Sequence, residues 1–144
     1  MGAAKVMAKG FLAGALSVVT VMSAAWWLAR TGGYIPATAN PLWALQPAIP
    51  PLGVPRVVNS AFWGGVWGMV LSLMFQRLHG AAHWLAWFLA GAVAVAATAI
   101  FIVPRIKGLA VPEVTTQRLL LSGFLNGMFG LGAGLWLTIL GRRG

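Results

Sequence analysis

The chain has 144 residues, of which 60% are hydrophobic and only 8% are charged, whereas about a quarter of the residues in an ordinary soluble domain are charged. Ten basic residues against one acidic residue give a net charge of +9, and cysteine is absent. This composition excludes disulfides, thiolate catalysis and cysteine-ligated metals. Because the basic residues lie at the ends of the apolar runs, we expect them to meet membrane lipids and expect no nucleic-acid partner.

The first apolar run extends from Gly10 to Ala29 and follows two lysines. It passes through Ser23-Ala24-Ala25, which together with the lysines is the layout of a cleavable signal peptide. The run continues beyond these small residues and is longer than a usual signal core, so we expect an uncleaved first transmembrane helix. A loop over residues 31–56 follows and holds six of the eight prolines. We expect an extended cap at the membrane interface, with a short element at Leu42–Leu45 among the headgroups.

Three further apolar runs cover Val57 to Phe75, Trp84 to Val103 and Leu119 to Leu140. None of the four runs contains Asp, Glu, Lys, Arg or His, and each has about the 20 residues that a helix needs to cross a bilayer. They lack the alternation of a membrane β-strand. The pattern predicts an all-α integral membrane protein with four transmembrane helices in a single membrane domain, residues 1–144.

The two halves of the chain resemble each other. The first and third runs share a Phe-Leu-Ala-Gly-Ala segment, Phe11 to Ala15 and Phe88 to Ala92. The second and fourth runs align without gaps, with these matched pairs: Arg56 and Arg118, Ser60 and Ser122, Phe62 and Phe124, Gly65 and Gly127, Gly68 and Gly130, Leu73 and Leu135. We interpret the chain as a parallel tandem repeat of two helical hairpins, approximately residues 10–76 and 84–140, related by a pseudo-twofold axis along the membrane normal.

Small residues form one face of the second and fourth predicted helices at about 100° per residue. They predict a packing seam, in which these two helices cross closely at the pseudo-twofold axis, made of Ala61, Gly65, Gly68, Ser72, Gly123, Gly127, Gly130 and Gly134. The alternative is a glycine-lined path for a solute. The opposite faces are mostly bulky: the second-helix stripe is Trp63, Trp67, Val70 and Met74, and the fourth-helix stripe is Leu125, Phe129, Gly132 and Trp136.

Few side chains offer chemistry within the predicted spans. Asn126 is expected to hydrogen-bond to a neighbouring helix or to contact a polar ligand, and Asn59 is expected at a helix start. Trp63 and Trp67 can pack on another helix or stack on a flat apolar molecule. His79 and His83 lie four residues apart, but no acidic residue or cysteine nearby completes a metal site. We interpret them as interfacial histidines in the loop between the repeats.

Charged residues mark the ends of the predicted helices. Glu113 is the only acidic residue, and we expect it to form an interfacial ion pair with Arg105, Lys107 or Arg118 rather than to act as a base. Arg30 and Arg56 are expected at the same interface. The side bearing the termini and the side bearing the return loops each carry five basic residues, so the positive-inside rule gives no orientation. The two histidines weakly favour cytoplasmic termini.

These observations define no catalytic residue, no metal ligand set and no cofactor site, so we do not expect an enzyme. The first hypothesis is a structural or accessory protein: a self-associating membrane module, or a subunit of a larger membrane complex. The alternative is a passive channel or facilitator for a small neutral or apolar solute or lipid, since parallel repeats are frequent in transporters. The expected location is the bacterial inner (plasma) membrane.

Overall fold

The computed structural model describes residues 2–39, 41, 43 and 53–141. Four helices in this part of the chain are long and apolar enough to cross a membrane: α1 (Ala3–Thr31), α2 (Arg56–Phe75), α3 (Gly80–Ile106) and α4 (Thr116–Ile139). All regular structure among the described residues is helical, so the predicted helical class is confirmed, as is the prediction of four helices long and apolar enough to span a membrane. Most of the proline-rich loop, including the short element predicted around Leu42 and Leu45, lies outside the described residues.

All four helices are longer than the apolar runs that predict them, α1 and α3 by several residues. Helix α1 has 29 residues, or about 43 Å at 1.5 Å per residue, whereas the hydrocarbon core of a bilayer is about 30 Å thick. The helix is therefore long enough for Lys5 at its start and Arg30 at its end to lie outside a hydrocarbon layer of that thickness.

The first helix of each hairpin contains wide, π-type turns, at Val18–Met22 in α1 and at Ala90–Val95 and Thr98–Ile102 in α3. The last of these precedes Pro104, which has no backbone N–H and whose ring collides with the carbonyl four residues earlier in a regular α-helix. A wider turn relieves that collision. Helices α2 and α4 are uninterrupted.

Helices α1 and α3 also end in the same motif. Gly33 and Gly108 have positive φ angles of 82° and 70°, and the next residues, Tyr34 and Leu109, donate their backbone N–H to the carbonyl five residues earlier. This is the Schellman arrangement, which requires a left-handed residue that glycine adopts without strain. It turns the chain into the loop that returns to α2 or α4.

The helices are paired as two hairpins that meet along α1 and α4. Helix α1 packs along α2 (the first hairpin), α4 packs along α3 (the second hairpin), and α1 also packs along α4. Helix α2 meets α3 mainly over Gly80–Leu89 and makes little contact with α4. All four helices contribute to one central core, which includes Ala13, Leu71, Trp87, Phe129, Ala133 and Leu137.

Candidate functional site: the helix-packing interfaces

Glycines in the first hairpin bring the backbones of α1 and α2 into contact. A Cβ atom at Gly14 would overlap the carbonyl oxygen of Gly64, and a Cβ atom at Gly68 would overlap the carbonyl oxygen of Gly10. Gly65 faces the ring of Phe11, whose nearest carbons would lie 2.6 Å from an added Cβ. Side chains at Gly14 or Gly68 would therefore force the two helices apart.

The second hairpin repeats these contacts at the matching positions. A Cβ atom at Gly91 would overlap the carbonyl oxygen of Asn126, and one at Gly130 would overlap the carbonyl oxygen of Trp87. Gly127 faces the ring of Phe88, with its nearest carbon 2.5 Å from an added Cβ. A shift of 77 residues relates the contact positions of α1 to those of α3, and a shift of 62 residues relates those of α2 to those of α4.

A polar bond joins the two helices of each hairpin near the end that bears the termini. In the first hairpin, the hydroxyl of Ser72 is shared between the carbonyl of Met69 in its own helix, at 2.9 Å, and the carbonyl of Val6 in α1, at 3.3 Å. In the second, His83 Nε2 donates to the carbonyl of Gly134, also at 3.3 Å. The same two shifts relate these pairs, so the donor is on the second helix of one hairpin and on the first helix of the other. Both donor side chains are buried.

His83 thus lies inside α3 and not in the connecting loop, where we expected it with His79. Helix α3 begins at Gly80, which has a positive φ of 60°, and His79 stands before it with an extended backbone. The ring of His83 packs edge-on against Trp84 and Trp87, with centroid distances of 5.1 and 6.1 Å. Trp87 is fully buried, and its Nε1 has no hydrogen-bond partner among the described residues.

Helices α1 and α4 meet through the fourth-helix stripe. Ser17 Oγ donates to the carbonyl of Phe129 at 2.6 Å, and Trp136 Nε1 donates to Thr20 Oγ1 at 2.9 Å. An added Cβ at Gly132 would overlap Ser17 Oγ and lie 2.6 Å from Val21 Cβ. Closer to the return loops, a cluster of Trp26, Ala29 and Ile35 packs against Leu121 and Leu125.

The predicted seam residues therefore pack, but against other partners than expected. We predicted that the small faces of α2 and α4 cross each other, whereas these two helices make little contact. Gly65, Gly68 and Ser72 instead face α1, and the α4 seam residues Gly123, Gly127, Gly130 and Gly134 face α3. Ala61 is half-buried. The reason is that α1 and α3 carry small residues of their own, at Gly10, Gly14 and Gly91, which let the backbones of α2 and α4 approach them closely.

The polar and aromatic candidates do not converge on one site. Asn126 is half-buried, and its Nδ2 donates to the Ser122 carbonyl at 2.9 Å, one turn earlier in α4; the bond is not to another helix as we expected. Asn59 lies in the first turn of α2, where its N–H donates to the carbonyl of Pro55. Trp63 is exposed beside Phe62, and Trp67 packs at the margin of the central core.

The charged candidates lie near the return loops. The guanidinium of Arg30 donates to the carbonyl of Ala37 and lies 5.6 Å from the ring centroid of Trp26. Arg56 begins α2 and is half-buried, whereas Arg105, Glu113 and Arg118 are exposed. Within the described part of the chain, Glu113 forms none of the ion pairs that we expected with Arg105, Lys107 or Arg118.

Two concave regions accompany these interfaces. An apolar groove of about 580 Å³ lies between the end of α1 and the start of α4, lined by Leu28, Ala29, Tyr34, Gln117, Leu120 and Phe124 among others. A smaller cavity of about 320 Å³ lies at the opposite end, beside His79, His83, Thr138 and Gly141. Among the described residues, no group of three or more His, Asp or Glu side chains could hold a metal ion.

Sequence reasoning missed the interface residues on α1 and α3, and also Gly64 on α2. Gly10 and Gly14 form a Gly-x-x-x-Gly pair, the spacing by which membrane helices approach closely, and Gly64 and Gly68 form a second pair across from them. That signal was available in the sequence. The hydrogen bonds made by Ser17 and Thr20 had no comparable signal, because an isolated hydroxyl in a membrane helix can equally bond within its own helix.

No protein-family model, curated protein or solved structure matches this chain.

Proposed function

We propose that this protein is an integral membrane protein built as a parallel tandem repeat of two hairpins. The support is the correspondence of contacts: Gly14 on Gly64 matches Gly91 on Asn126, and Gly68 on Gly10 matches Gly130 on Trp87. The shared Phe-Leu-Ala-Gly-Ala segment gives the first shift of 77 residues independently of the structure. Since each unit has two spans, both units have the same orientation in the membrane.

We further propose a structural role, as a self-associating membrane module, rather than an enzymatic one. One observation carries this proposal. The glycines that would have to line a solute path lie against the backbone or rings of neighbouring helices, whereas bulky side chains such as Trp63, Met74 and Leu120 point outward. Small residues are thus used to close the hairpins, and the large apolar side chains are left for lipid or for protein partners.

A passive facilitator is the second candidate, favoured by the apolar groove between α1 and α4. The groove is lined by Leu28, Leu120 and Phe124, with Tyr34 and Gln117 beside them. Its size is that of a small-molecule site, and its lining suits an acyl chain or another apolar solute. In this alternative the groove, and not a glycine-lined path, carries the solute.

Measurements on the purified protein in lipid distinguish the two proposed functions. We expect a mass above that of one chain in nanodiscs, measured by native mass spectrometry, and no solute flux above that of empty liposomes for glycerol, urea or a fluorescent fatty acid. A single chain per nanodisc together with flux would overturn the structural role. Flux that is lost when Leu120→Trp fills the groove, and kept when exposed Leu85 is changed to Trp, would favour the facilitator.

We propose the bacterial plasma membrane as the location, with termini in the cytoplasm. The chain has no cysteine, so single-cysteine variants report topology directly. Leu109→Cys lies in the return loop after α3, and Ala81→Cys lies in the first turn of that helix; both positions are exposed. A membrane-impermeant maleimide added to spheroplasts should label the first variant and not the second. The reverse pattern would place the termini outside.

A further inference from the structure

The contact between α1 and α4 defines one type of interface between hairpins. In it, α1, the first helix of the first hairpin, packs on the fourth-helix stripe of α4, the second helix of the second hairpin. Ser17 donates a hydrogen bond to the carbonyl of Phe129, and Thr20 accepts one from Trp136. The two helices are antiparallel. If the hairpins are repeats, the same chain also contains the counterparts of both surfaces, on α3 and α2.

Most of these two counterpart surfaces is open, although Trp67, the counterpart of Phe129, packs at the margin of the central core. On α2, the second-helix stripe leaves Trp63, Val70 and Met74 exposed at 56%, 44% and 66%. On α3, the counterparts of Ser17 and Thr20 are Ala94 and Ala97, and both are exposed. Helix α2 meets α3 mainly over Gly80–Leu89, so it leaves the later part of α3 uncovered. Because lipid is as apolar as these side chains, their exposure alone does not indicate a partner.

The open surfaces on α2 and α3 differ in sequence from the closed interface between α4 and α1, and the differences on the two open surfaces correspond to each other. In the closed interface Gly132 meets the hydroxyl of Ser17; the corresponding residues of the open surfaces are the larger Val70 and Ala94, which has no hydroxyl. In the closed interface Trp136 donates to Thr20; in the open one both counterparts, Met74 and Ala97, are apolar. Where the α2 stripe has a larger or less polar residue than α4, the matching position of α3 has a smaller or less polar residue than α1. The two open surfaces are therefore complementary to each other in size and polarity.

We propose that a second copy of this chain covers these surfaces, with the second-helix stripe of one copy packed on Ala94 and Ala97 of the other. This inference rests on the proposed self-association and names its interface. Such a contact is heterologous, because the two copies use different surfaces, and it closes into a ring of hairpins when both open surfaces of each copy are used. All copies share one membrane orientation, which keeps α2 and α3 antiparallel as α1 and α4 are.

The test uses the absence of cysteine from the chain. Val70→Cys and Ala94→Cys are introduced into copies with different epitope tags, co-expressed, and oxidised in native membranes. We expect a disulfide-linked dimer that carries both tags. Neither variant alone should give this product. The matched control is Leu89→Cys with Val70→Cys, because Leu89 and its counterpart Leu12 are both exposed and lie outside the interface on each helix.

A second measurement tests the same interface without disulfide formation, in case the cysteine variants fold but form no disulfide. Ala94→Trp should reduce the oligomer in nanodiscs to a single chain, whereas Leu89→Trp should leave it intact, with helicity unchanged in both by circular dichroism. Three results would overturn the inference while leaving the proposed function in place: Val70→Cys cross-linking to itself, a disulfide formed only within a chain that carries both cysteines, or an oligomer insensitive to Ala94→Trp. A wild-type protein that is a single chain in every lipid would overturn both.

Discussion

The consequence of changing a glycine in this fold depends on what lies opposite its α-carbon. Gly14 and Gly91 lie against backbone carbonyl oxygens, whereas Gly65 and Gly127 lie against phenylalanine rings. A ring can rotate away from an added methyl group, but a helix backbone can move only with its whole helix. Equal substitutions at these positions should therefore have unequal costs.

Gly14→Ala and Gly91→Ala should each lower the free energy of unfolding by about 3 kcal/mol or more, the upper end of the usual cost of overpacking. Gly65→Ala should cost about 1 kcal/mol, because the ring of Phe11 can shift. Gly123→Ala is the control, since its Cβ would lie 3.7 Å from the carbonyl oxygen of Ala92, an ordinary contact. Tryptophan fluorescence during unfolding in mixed micelles gives the free energy of unfolding of each variant, and so the order of their costs. Equal costs at Gly14 and Gly65 would contradict the backbone contact.

The buried polar bonds of Ser72 and His83 should be independent of each other, because they lie in different hairpins. Ser72→Ala and His83→Leu should each destabilise by about 1 kcal/mol, the usual scale of a hydrogen bond between membrane helices. The double variant should lose the sum of the two, as expected for sites without shared partners. His83→Gln, which keeps a donor, is the matched control. A strongly non-additive double variant would show that the two bonds are coupled.

At the scale of helices, length and composition predicted all four spans because an unbroken apolar run has few other stable states in a membrane. The side chains also predicted which faces of α2 and α4 are small. They did not predict the partner, because a small face fits any close neighbour, and the choice of α1 for α2 follows from the fit of Gly10 and Gly14 against Gly64 and Gly68. The turn that places His83 inside α3 depends on the positive φ of Gly80, which no periodicity reports.

The stability of the interface between α1 and α4 should depend on one residue of each helix, Ser17 on α1 and Gly132 on α4. Gly132→Val should destabilise the protein by about 1–3 kcal/mol, as for overpacking in general, because its side chain would meet Ser17 and Val21. Ser17→Ala should itself cost about 1 kcal/mol through the lost bond to Phe129.

In the double variant Gly132→Val/Ser17→Ala, the cost should be less than the sum of the single costs, because removing the hydroxyl makes room for the added side chain. A double-mutant cycle of unfolding free energies measures this coupling. Gly132→Val combined with Ser60→Ala, which lies in α2, provides the uncoupled control. Additive costs for Gly132→Val and Ser17→Ala would show that the two residues do not meet.

At the scale of the whole molecule, the basic residues lie at both ends of the helical bundle and the apolar surface lies between them. Lys5 and Arg77 are on the side of the termini, and Arg105, Lys107 and Arg118 are on the side of the return loops; all five are exposed. Among the described residues, the basic charge is therefore distributed over both ends of the bundle.

This distribution predicts that anionic lipid stabilises the protein at both membrane surfaces. Each basic side chain near an anionic surface contributes up to about 1 kcal/mol, and the effect is screened by salt. The midpoint of thermal unfolding should rise by several degrees when phosphatidylglycerol replaces half of the phosphatidylcholine in nanodiscs, and the rise should shrink at about 0.5 M salt, where the screening length is only a few Å. The variant Lys5→Gln/Lys107→Gln, changed once on each side, should lose part of the rise in low salt and match the wild type in high salt. A rise that persists in high salt would instead indicate a specific lipid site, and the apolar groove beside Gln117 would be the place to seek it.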